Sequence, residues 1–235
     1  MSIHGTIAGL ATTRPSNVRT VIFDLDGTLG DSLPVVVEAF QTALAAFDLP
    51  VPSQREIFGF FGPTEDGVVK AMFGDVWRDA IPVYYDAYQR LLCERPSPFP
   101  GIRRVLESCK DAGLRLAIVT GKSDRGAVVT VDAFGLGDCF EAILGGSDQG
   151  VIKADQITDI LCGWGIEPTD SAYIGDHSMD VSEARRAGVM ALSAGWASTV
   201  DLIAIESARP DVLFGSVDEF ARWLDVEPTS DEGGE

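Results

Sequence analysis

Histidine is nearly missing from this 235-residue chain, which carries only His4 and His177. Cysteine is sparse as well. Cys93, Cys109, Cys139 and Cys162 form no C-x-x-C pair. These shortages argue against a structural zinc site and against a disulfide framework, and they favour reduced thiols in a cytosolic protein. Long apolar runs are lacking too, so no segment reads as a membrane span. The short apolar patch from Ile7 to Ala11 has no basic region before it and does not read as a signal peptide. Positive charge is scarce: 18 basic residues face 36 acidic ones, for a formal net charge of −18. Such a surface repels nucleic acid and anionic membranes. An anionic substrate would need local cations to reverse that field. Only four of the basic residues are lysines, at positions 70, 110, 122 and 153.

What is present is apolar material. Hydrophobic residues make up 46% of the chain, enough for one large domain or for one domain with a smaller one inserted. Short β-rich runs alternate with helical patterns. Strands are expected at 21–23, 114–119, 142–144, 172–174, 189–192 and 212–214. Helices are expected near 101–112, 123–134, 153–164, 178–187 and 216–225. This alternation predicts an α/β fold with a Rossmann-like parallel sheet covered by helices on both faces. Residues 33–95 break the pattern, with helices at about 34–47, 64–73 and 76–94. Pro82 is expected to kink or interrupt the last of these. The domain reading is an irregular leader at 1–17, a core of 18–32 and 99–225, an all-α cap at 33–98 and a disordered acidic tail at 226–235.

Four motifs fall just past strand ends, where open α/β sheets bind ligands. The first runs from Phe23 to Leu29 and holds Asp24, Asp26, Gly27 and Thr28. Two carboxylates two residues apart on an extended backbone share a side and repel, so a divalent cation with oxygen ligands is the natural compensation. Taken alone, the string is also a common Asp-Gly turn. In the second motif, Thr120-Gly121-Lys122-Ser123, a hydroxyl precedes a helix start, which favours phosphate. It equally reads as an ordinary N-cap, with Ser123 the capping residue. The third is Lys153, at the helix end that the dipole disfavours for a cation. The fourth is Gly175-Asp176-His177-Ser178-Met179-Asp180, whose two aspartates lie one helical turn apart and can face one centre. His177 reads as a loop residue.

In order and placement this set resembles the haloacid dehalogenase superfamily over residues 19–225. The helical stretch after the first motif looks like the cap of the phosphoglycolate phosphatase-like branch. Asp31-Ser32 and Phe99-Pro100-Gly101 also fit that branch. The resemblance implies a Mg²⁺-dependent phosphatase that acts on a small phosphomonoester through an aspartyl-phosphate. It makes Asp24 the nucleophile and Asp26 the general acid–base. Mg²⁺ would be held by Asp24, the Asp26 carbonyl and Asp176, with Asp180 in support. Gly27, Thr28, Thr120, Gly121 and Lys153 would receive the phosphoryl group, and Lys153 would also orient Asp24. Ala154 stands where relatives often carry proline, a departure expected to loosen that loop. A sugar-phosphate mutase and a non-catalytic module on the same fold remain as alternatives. The expected partner is a small phosphorylated metabolite, with no nucleic acid and no membrane, and the chain is expected to be a monomer or a homodimer.

Overall fold

The computed structural model describes residues 13–95 and 98–225. Most of the expected leader, the whole expected acidic tail and two residues of the cap exit lie outside these. Six strands form one sheet: β1 (Thr20–Phe23), β2 (Arg115–Val119), β3 (Ala142–Leu144), β4 (Ser171–Gly175), β5 (Met190–Ala194) and β6 (Val212–Phe214). Every pairing is parallel, and the spatial order is β3-β2-β1-β4-β5-β6.

Side-chain alternation along the strands explains why both faces are covered. Val21, Phe23, Leu116, Ile118, Ala172 and Ile174 point to one face. There they meet α5 (Ile102–Asp111), α6 (Asp124–Ala133) and α10 (Val217–Leu224). Ile22, Ala117, Val119, Tyr173 and Ala191 point to the other, against α7 (Lys153–Trp164) and α8 (Ser178–Ala187). Each of the six expected strands and the five helices paired with them is present, with ends shifted by a residue or two.

Four helices stand between β1 and α5: α1 (Leu33–Ala46), α2 (Gln54–Phe58), α3 (Glu65–Phe73) and α4 (Trp77–Glu94). Their shared core is aromatic. Phe40 of α1 stacks on Tyr84 of α4 at 4.4 Å between centroids, and Tyr84 stacks on Tyr88 at 5.9 Å. Hydroxyls on this layer tie it to α6: Tyr88 pairs with Thr130 at 2.7 Å, and Tyr85 pairs with Ser123 at 2.6 Å. Of the two expected effects of Pro82, interruption does not occur: α4 runs through it unbroken. It sits in the second turn, where its missing N–H forgoes a single i→i−4 bond, to the Arg78 carbonyl. Two helices were not expected. One is α2, whose Ser53 and Glu56 form a capping box. The other is α9 (Leu202–Ala208), started by Asp201, whose carboxylate accepts from Ala204 N at 3.0 Å.

Candidate active site

The strand order reverses between β1 and β4, and the crevice beyond their C-terminal ends is where such sheets take ligands. Asp24 follows β1 and Asp176 follows β4 across that switch point. A cavity of about 300 Å³ opens there, between the sheet and helices α1 and α3. Its wall includes Asp24, Asp26, Thr120, Gly121, Lys122, Lys153, Asp176, His177 and Asp180. Sequence positions from 24 to 180 therefore meet at one place.

Lys153, at the first position of α7, is nearly buried between two carboxylates. Its Nζ lies 3.0 Å from Asp24 Oδ2 and 2.7 Å from Asp180 Oδ1. Burial disfavours this ammonium, but the charges of Asp180 and Asp24 outweigh burial and hold its pKa well above the usual value. The charge at the unfavourable helix end is thus answered by two anions. Asp180 is fully engaged. It also lies 3.3 Å from the Tyr173 hydroxyl, and its Oδ2 accepts from His177 N at 3.0 Å.

Asp24 and Asp176 are less well served. Burial raises the pKa of Asp24, and Lys153 only partly opposes it. Asp176 is pushed up to about 8, by burial first and then by the charges of Asp24 and Asp180. Asp24 Oδ1 is buried with no hydrogen-bond partner. Carboxylate oxygens of Asp24, Asp176 and Asp180 lie within 4.8 Å of one another. An unpartnered oxygen in a crowd of carboxylates is a donor set for a hard divalent cation. Gly27 makes the crowding possible. Its φ is +77°, and a Cβ there would collide with the Asp176 carboxylate. Gly175 likewise leaves room for Asp180.

Asp26 has its own surroundings. Ser32 donates a hydrogen bond to Oδ1, and Lys122 Nζ lies 3.2 Å from Oδ2. Lys122 is 5% exposed and also lies 2.9 Å from Glu65 Oε1 on α3. Asp26 and Glu65 together overcome the burial penalty on this lysine and hold its pKa well above the usual value. Glu65 Oε2 accepts from Ser123 N at 2.6 Å, and the absence of a side chain at Gly126 leaves space for it.

Lys122 and Glu65 are absent from the candidates named by sequence. The dipole conflict that singled out Lys153 holds for Lys122 too, which directly precedes the Ser123 N-cap of α6. Nothing in the sequence marks Glu65, because its role depends on how α3 docks. Among the expected residues, Gly27 and Thr28 do not line the cavity. Thr28 is fully buried, and its carbonyl accepts from Trp196 Nε1 at 3.1 Å. His177 caps α8, its Nδ1 accepting from Met179 N at 3.1 Å, while Ser123 caps α6. Ala154 does not leave its loop free. Its N–H, which proline would lack, donates to buried Glu183 at 3.0 Å.

A family model described as haloacid dehalogenase-like hydrolase matches residues 21–194. A phosphoglycolate phosphatase of Pasteurella multocida is 31% identical over 224 residues, covering 88% of this chain and 97% of that protein. The tyrosine-protein kinase PtkA of Mycobacterium tuberculosis is 32% identical over 212 residues, covering 88% of this chain and 73% of the relative. Among solved structures, a predicted phosphoglycolate phosphatase from Haemophilus somnus superposes with a TM-score of 0.74. It is 23% identical and covers 86% of this chain and 95% of its own.

Proposed function

The chain belongs to the haloacid dehalogenase-like hydrolase family, and from that premise we propose that it is a metal-dependent phosphatase in which Asp24 attacks the phosphorus of a small phosphomonoester. The observation that carries the reading is the pairing of each carboxylate with its own lysine. Asp24 lies against Lys153, and Asp26 lies against Lys122. Two carboxylates held apart in this way can take two different roles.

Asp24 and Asp176 would hold Mg²⁺ through their side chains and Asp26 through its carbonyl, with Asp180 fixing Lys153 beside them. When bound, the ion supplies neutralisation of phosphoryl charge. An Asp24 oxygen forms the new bond to phosphorus as the ester P–O bond breaks, and Asp26 gives its proton to the departing oxygen. Water then attacks the aspartyl-phosphate, returns a proton to Asp26 and frees phosphate and Asp24. Thr120, Gly121 and Lys153 would receive the phosphoryl oxygens. Helices α1–α4 would act as a cap that excludes water. A cytoplasmic location accords with the reading, and no described helix is long and apolar enough to cross a membrane.

Hydrolysis is favoured over transfer to a tyrosine of the chain itself. All four tyrosines are buried, and none lines the cavity. Hydrolysis is also favoured over a mutase, since the one cavity-lining cation beyond the Asp24 cluster is held by Asp26 and Glu65. Incubation with a hexose 1-phosphate tests the choice. The phosphatase reading expects inorganic phosphate, and an isomeric hexose phosphate would refute it.

A further inference from the structure

Beyond the phosphoryl end, the cavity wall is apolar. Phe40, Phe61, Pro63, Val68, Val151 and Met179 line it, of which Phe61, Val151 and Met179 are also exposed to solvent. The cations on the wall are Lys122 and Lys153, and each is already bound between two carboxylates. The insertion adds none. Lys70 is tied to Asp148 at 2.6 Å, and neither it nor Arg55, Arg78, Arg90 or Arg95 lines the cavity. His177 is engaged at the start of α8, where its Nδ1 accepts from Met179 N. The insertion's one charged contribution is an anion. Glu65 is 6% exposed and already occupies the ammonium of Lys122 and the N–H of Ser123.

A leaving group carrying a carboxylate would therefore enter an apolar, partly open space next to Glu65 and Asp26, where the described residues offer no cation that is not already paired. Burying such a charge unpaired is costly. An uncharged alkyl or aryl alcohol would meet matching apolar walls. From this we propose that the enzyme prefers phosphate esters of uncharged, largely apolar alcohols, and that Glu65 is the residue that turns carboxylated esters away. The inference rests on the phosphatase reading above and narrows it. It also separates this chain from the phosphoglycolate phosphatases to which it is similar.

The test compares kcat/KM, with Mg²⁺, for n-butyl phosphate, 2-phosphoglycolate and 4-nitrophenyl phosphate. The native enzyme is expected to favour butyl phosphate over 2-phosphoglycolate by about tenfold or more. Glu65→Gln, which removes one of the two anionic partners of Lys122 and the negative charge on the wall, is expected to shift that ratio toward 2-phosphoglycolate by about tenfold. Equal or better use of 2-phosphoglycolate by the native enzyme would overturn the inference whether or not the variant folds. An unchanged ratio in a folded variant would overturn the role of Glu65. If 4-nitrophenyl phosphate is turned over while the preference is reversed, only this inference falls. If none of the three is turned over, the phosphatase reading falls first and the inference with it.

Discussion

Lys122 Nζ lies 3.2 Å from Asp26 Oδ2, and the same ammonium reaches Glu65 Oε1 of α3 at 2.9 Å. One buried lysine thus connects the aspartate after β1 to the helical insertion. Removing a single member of such a group strands charge in a medium that cannot solvate it. Lys122→Met should lower the unfolding free energy by about 3–5 kcal/mol. Adding Glu65→Leu should return part of the loss, because one of the two orphaned carboxylates is then gone. Urea unfolding of the single and double variants checks this. A double variant destabilised by the plain sum of the singles would contradict the coupling.

The crowded carboxylates predict an opposite response to pH with and without metal. The Asp176 carboxyl moves from an ordinary 3.8 up to about 8 in the fold. Between those values the folded chain keeps a proton that the unfolded chain has released. The contribution is fully present below the lower value and is lost as pH rises through the upper one. Metal-free protein should therefore lose stability from about pH 5 to about pH 8 through this group. Mg²⁺ displaces that proton, so the stabilisation it confers should grow over the same window. Thermal unfolding with Mg²⁺ and with chelator measures both trends. Stabilisation by Mg²⁺ that is independent of pH would count against Asp176 as a ligand.

Asp148, in the loop after β3, reaches across to α3. It pairs with Lys70 at 2.6 Å and accepts a hydrogen bond from Thr64. Lys70 and Asp148 are both partly exposed, so the pair adds little to global stability. Its effect should instead fall on how well α3 stays over the cavity. Asp148→Ala should change the unfolding free energy by less than about 1 kcal/mol while raising KM severalfold. Unaltered steady-state kinetics would show that the contact does not hold α3 in place.

Gly27 permits the close approach of Asp176. A Cβ at this position would overlap that carboxylate, and the backbone is left-handed with φ +77°. Gly27→Ala should reduce metal-dependent turnover by about a hundredfold, by displacing one carboxylate from the cluster. Its Mg²⁺ titration should shift to higher concentration. A variant with native Mg²⁺ response would show that Asp176 can move without consequence.

Much of this arrangement was legible in the sequence because strand ends and helix starts are local features. Asp24, Thr120 and Asp176 each follow a recognisable strand, Lys153 opens a recognisable helix, and the parallel order of the sheet then gathers them. Helix α2 was missed although Ser53 and Glu56 spell a capping box, because five residues give no apolar period to notice. Glu65 was not legible. Its partner Lys122 is 57 positions away, and only the docking of α3 brings the two to 2.9 Å. The effect of Ala154 was misjudged for a related reason. Its N–H partner, Glu183, comes from α8, so tertiary contact rather than local stiffness decides how firmly the loop is held.

Everything proposed for this site depends on attack at phosphorus by the Asp24 carboxylate with the help of a divalent ion. Phosphate release from 4-nitrophenyl phosphate measures it directly, after chelation and then with Mg²⁺ restored, for the native chain and for Asp24→Asn. Turnover is expected only in the native chain with metal, with a loss on the order of 10⁴-fold or more in the variant. Equal rates without metal, or a variant that keeps native turnover, would contradict it.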